Sequence, residues 1–71
     1  MKYQVGDIFV SSTRGVITII SVFDNKDKTA DILYRCKVYD KVEVKEKNEN
    51  IQETILQMLV KCDIYKHHAV K

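Results

Sequence analysis

Residues 4–25 read QVGDIFVSSTRGVITIISVFDN and contain both glycines of a chain that has no proline. The run from Val16 to Phe23 is β-branched and apolar on both faces: Val16, Ile20 and Val22 fall on one side of an extended chain, Ile17, Ile19 and Phe23 on the other. Such a strand is central in a sheet, or bends so that each half buries a different face. Ahead of it, Tyr3 to Val10 predicts a first strand, with Gly6-Asp7 marking a bend or bulge where the missing Cβ lets the backbone twist. Between the two, Ser11-Ser12-Thr13-Arg14-Gly15 is a loop of residues whose side chains bond their own backbone.

Downstream, residues 24–29 form a polar turn, and from Ala30 to Tyr39 the pattern alternates. Ala30, Ile32, Tyr34, Cys36 and Val38 face one way; Asp31, Leu33, Arg35, Lys37 and Tyr39 make a wetter opposite face. Asp40-Lys41 reverses the chain into Val42-Glu43-Val44-Lys45-Glu46, whose strict alternation predicts a half-buried strand. The period then changes. Ile51, Ile55, Met58, Leu59 and Cys62 trace one helical face, widened by Leu56 and Val60, and Asn50 with Glu53 resembles a capping box. Cys62 to Lys66 reads as a closing strand and His67 to Lys71 as a frayed tail. The expected elements are strands at about 3–10, 16–23, 30–39, 42–46 and 62–66, and a helix at about 51–61.

With 71 residues the chain is one domain, able to bury only roughly 60% of its unfolded surface. At 45% apolar and 31% charged it belongs with soluble globular proteins and away from disordered ones. No stretch approaches the roughly 20 apolar residues of a membrane span, and Met1-Lys2-Tyr3-Gln4 leads into Gly6 without a secretory apolar region. Met1 reads as a true start and the cytoplasm as the address. A net charge of +2 neither selects nor excludes a polyanion.

Chemistry-bearing clusters are sparse. Cys36 and Cys62 read as reduced core thiols, and they lack the close pairing of a zinc site with His67-His68. Two glycines cannot build a phosphate-binding loop. Neither a metal nor a cofactor is therefore expected. Both histidines fall in the tail, where nothing would orient an imidazole for acid–base work, and Glu43, Glu46, Glu49 and Glu53 interleave with lysines as a solvated face does. The chain does not read as an enzyme.

Val5-Gly6-Asp7 leading into a strand, followed by Gly15-Val16-Ile17-Thr18-Ile19, resembles the opening of SH3-like small barrels of the Tudor and KOW kind over residues 3–39. The same outline is similar to RNA-polymerase-interaction modules of transcription regulators and to small proteins of Gram-positive phages and mobile elements. The resemblance implies a mainly β fold, a small five-stranded antiparallel barrel with a C-terminal helix, and a habit of binding. Two expectations follow. The first is a protein-binding module that engages or inhibits a host protein, or pairs with itself as a homodimer, through a surplus of apolar groups at Leu56, Val60, Ile64 and Tyr65. The second is a nucleic-acid-binding or transcription-associated barrel using Arg14, Arg35, Lys37 and Lys45.

Overall fold

The computed structural model describes residues 2–23 and 31–70; the expected turn at 24–29 and Ala30 lie outside them. Five strands, β1 (Ile8–Ser11), β2 (Gly15–Phe23), β3 (Leu33–Asp40), β4 (Lys45–Gln52) and β5 (Lys66–His68), accompany one helix, α1 (Glu53–Lys61). The strands form a single antiparallel sheet in the order β4-β3-β2-β1-β5. The sheet stays open. Its edges are β5, only three residues long, and β4, exposed at every residue except Ile51, so the closure expected of an SH3-like barrel is absent.

One face of the sheet carries the core: Phe9, Ile17, Ile19, Tyr34 and Cys36, with Tyr3, Leu56 and Tyr65 laid over them. The apolar duality of Val16–Phe23 has a local cause. The register against β3 slips between Ile19 and Ser21, and this bulge shifts the inward positions from Ile17 and Ile19 to Val22. Ile20 and Phe23 are left exposed. The Gly6-Asp7 bend is joined to the same place, because Gly6 N–H donates to Ile19 O at 2.9 Å and Ile19 N–H to Asp7 O at 3.0 Å.

After β3 the alternation of Val42 to Glu46 predicts a strand where the structure has a turn. The Asp40 carboxylate accepts the N–H groups of Val42 at 2.9 Å and Glu43 at 3.2 Å, and this side-chain capture bends the chain before a ladder can form. Val42 and Val44 stand 76% and 71% exposed, and Val44 has φ 55°, a conformation that β-branched residues avoid. The strand begins only at Lys45.

The helix starts at Glu53, and Asn50 lies in β4 opposite Arg35, so the local capping box is not formed. Its cap comes from far away in sequence. Glu53 N–H donates to Ile32 O at 2.8 Å, while Asp31 accepts the Thr54 N–H at 3.2 Å and its hydroxyl at 2.6 Å. Led by the Thr54 hydroxyl, these bonds hold the Asp31 carboxyl below its usual range. The buried face also differs from the expected one: Leu56 is enclosed and Leu59 and Val60 pack beside it, whereas Ile55, Met58 and Cys62 are exposed. Cys36 is a core thiol and Cys62 is not.

The helix ends in a Schellman arrangement. Asp63, at φ 60°, donates to Val60 O at 3.1 Å, and Ile64 N–H donates to Leu59 O at 3.0 Å, satisfying carbonyls the helix leaves over. Residues 62–65 are therefore the helix exit. The strand follows at Lys66–His68, where a frayed tail was expected, because it pairs with β1 through Phe9 and His67.

Candidate binding groove

The residues expected to form an apolar docking strip do not form one. Leu56 is 0% exposed and Tyr65 8%; Val60 packs against the core, and Ile64 is the apolar residue that follows the Schellman turn. Their apolar surface is used inside the molecule. The strip fails because α1 packs with Leu56, Leu59 and Val60 toward the core, which leaves Ile55 and Met58 outward.

Where the helix leaves the sheet uncovered, the core opens to the surface as two adjoining hollows of about 410 and 470 Å³. Arg14, Val38, Glu49 and Tyr65 line both. Ile17, Ile51, Ile55 and Leu59 continue the wall on the helix side, and Val42, Glu43 and Lys47 continue it toward the hairpin tip. The apolar floor is thus the unfinished end of the core, flanked by exposed Val42 and Ile55. Apolar surface collected this way marks an interaction site more than scattered side chains do.

Arg14 is fixed in place by its backbone. Its N–H donates to Ser11 Oγ at 3.1 Å, its carbonyl accepts Lys41 N–H at 2.8 Å, and Lys41 Nζ donates to Ser12 O at 2.9 Å, so two turns are bolted together. Among the described residues its guanidinium makes no ion pair, whereas Lys47 and Glu49 pair with each other at 3.1 Å. Burial pushes the Tyr65 phenol above its ordinary pKa, against the pull of the nearby Arg14 charge. A cation beside an apolar floor suits a ligand that brings a carboxylate next to an apolar group.

The four basic residues named from the sequence divide between faces. Arg35 and Lys37 alternate with buried Tyr34 and Cys36, so they lie with Tyr39 on the uncovered face, where Lys37 meets Glu46 at 3.2 Å. Arg14 and Lys45 lie on the groove side, Lys45 two residues from Lys47 along β4. They do not make one patch.

Two buried polar networks brace this frame, and the sequence reading missed both. Tyr34 Oη donates to Glu53 Oε2 at 2.6 Å and accepts Tyr3 N–H at 3.2 Å; burial and then the Glu53 bond push its pKa up to about 12. Asp7, the last residue of the Val-Gly-Asp start, accepts from His67 Nε2 at 2.8 Å, Val70 N–H at 2.9 Å and Gln4 N–H at 3.2 Å. His67 stacks on Phe9 and meets Tyr3 edge-on, the three rings in mutual contact, so the Asp7–His67 pair clasps residues far apart in the chain together. A hint was present in the sequence: an acidic residue beside a glycine bend is placed to bond backbone N–H groups.

Burial raises the Asp7 carboxyl, but the Val70, His67 and Gln4 bonds outweigh it and hold its pKa below 3.8. Because the folded value lies below the unfolded one, this stability is present above about pH 4 and is lost as pH falls through the folded value. Asp7→Asn should cost about 2 kcal/mol at neutral pH and flatten the fall of stability below pH 4, as chemical denaturation at a series of pH values will read. An unchanged acid limb in Asp7→Asn would contradict this role.

What the fold defines is a small, mainly β domain with one helix and an open groove; no helix among the described residues is long and apolar enough to cross a membrane. Compared with protein-family models, curated proteins and solved structures, the chain matches none.

Proposed function

We propose that this chain is a non-enzymatic protein-binding module whose groove takes an extended segment of a partner protein. The supporting observation is Arg14, whose backbone is fixed between two turns and whose guanidinium makes no ion pair among the described residues, beside the apolar opening of the core. The segment offers an apolar side chain to Val38, Ile51 and Leu59 and a carboxylate to Arg14. Engagement of a host protein, which the resemblance to phage and mobile-element proteins implies, would run through this groove. An array of acetylated nonapeptides, each setting an apolar residue one or two positions from Asp or Glu, tests it by fluorescence anisotropy. A subset should bind, and Arg14→Glu should weaken the binding at least about tenfold while Arg35→Ala leaves it unchanged. Equal binding by Arg14→Glu, or no binding by any peptide, would overturn the assignment.

A second reading rests on the uncovered face, where Arg35, Lys37 and Tyr39 project with Lys66 and His68 from β5. Basic groups beside an exposed aromatic suit single-stranded nucleic acid. That reading requires affinity that falls steeply with salt, and weakens uniformly across sequences in Lys37→Ala.

A further inference from the structure

The edge strand β4 reads Lys45-Glu46-Lys47-Asn48-Glu49-Asn50-Ile51-Gln52. Exposed edges are normally guarded against pairing, and this one carries charges that alternate in a self-complementary order. Among the described residues no backbone group outside β3 bonds to it along Lys45–Gln52. The partner that fits such an edge can be deduced from its own sequence.

We propose that β4 pairs antiparallel with β4 of a second copy of this chain, centred on Asn48, to make a continuous sheet across a two-fold axis. In an antiparallel ladder directly opposed side chains share a face, so the axis must pass through a residue of the strand. Centring on Glu46, Lys47 or Glu49 sets that charge against itself, and centring on Asn50 sets no opposite charges across from each other. Asn48 alone avoids both faults. It places Lys47 across from Glu49 of the second copy and Glu49 across from its Lys47, with Glu46 facing Asn50 on the other side of the sheet. Within one chain Lys47 and Glu49 already lie 3.1 Å apart, so the two copies close a ring of four alternating charges. Opposed pairs of this kind stabilise a sheet, and like charges in the same places destabilise it.

The two-fold runs perpendicular to the sheet, and both grooves therefore open on the same side. A dimer would present two Arg14 sites to one partner, a consequence that rests on the groove reading, whereas the pairing of the two strands does not.

Sedimentation equilibrium over a wide range of protein concentration tests the pairing, with circular dichroism confirming that each exposed-site variant stays folded. The wild type should move from the 8.3 kDa monomer toward twice that mass. Lys47→Glu and Glu49→Lys should each raise the dimer dissociation constant about tenfold, and the double variant carrying both should recover to within about threefold of the wild type. A wild type that stays monomeric throughout overturns the proposal. So does a dimer indifferent to the single variants, or a double variant no better than either.

Discussion

Gly15→Ala should abolish the cooperative thermal unfolding transition. Gly15 begins β2 at φ 136°, and a Cβ there would fall onto the carbonyl oxygen of Tyr39, close also to the Lys41 nitrogen. Neither can give way. Gly15 pairs with Asp40 on one side and Ser11 on the other, and the Arg14 carbonyl holds Lys41 N–H. Relieving the overlap means separating β2 from β3 at the hinge that carries Arg14. A cost of at least about 4 kcal/mol follows from combining that overlap with a left-handed backbone closed to alanine. Far-UV circular dichroism against temperature reads it; an alanine variant melting cooperatively near the wild type would contradict the packing described for this corner.

Leu56→Ala should remove about 3 kcal/mol of stability, measured by urea denaturation at constant slope. Leu56 is the one fully enclosed side chain of α1, set in the core with Phe9, Ile19, Tyr34 and Cys36. Folded domains hold only about 0.05–0.15 kcal/mol per residue, so in a chain of 71 residues one such cavity consumes much of the margin. A charge at Leu56 consequently tests the fold and not a partner. Met58→Ala, on the exposed side of the same helix, should change stability by less than about 0.5 kcal/mol. Equal losses in the two variants would mean that the buried face has been misassigned.

What was legible in the sequence follows from which interactions are local. The self-bonded loop at Ser11–Gly15 and the alternation of Tyr34, Cys36 and Val38 depend on neighbours a few residues away, and both are found. The bend of β2 was readable as an alternative, because a run apolar on both faces requires either a central position or a parity shift. The helix start was not readable. Asn50 and Glu53 carry the right chemistry at the right spacing, yet Asp31, distant in sequence, supplies the cap. In the same way β4 has no apolar alternation to announce it and forms because β3 supplies a ladder, while Val42 to Glu46 has the alternation and loses its first three residues to the Asp40 turn.

The candidate site was legible only in fragments. Arg14 was singled out for a different ligand, and Tyr65 as a surface residue, but nothing in the pattern said that the β1–β2 turn and the exit of α1 would meet at one groove. His67 was hidden for a related reason. Its partner, Asp7, sits at the opposite end of the chain, and a clasp between chain ends leaves no local period.

Mapping backbone amide shifts in ¹⁵N-labelled protein, titrated separately with the tightest peptide of the array and with a short single-stranded oligonucleotide, tests the central claim most directly. The groove reading predicts that the peptide moves the amides of Arg14, Ile17, Val38, Ile51 and Tyr65 and that the oligonucleotide moves none of them. Shifts confined to Arg35 and Lys37, produced by the oligonucleotide with the peptide silent, would contradict it and assign the function to the opposite face of the sheet.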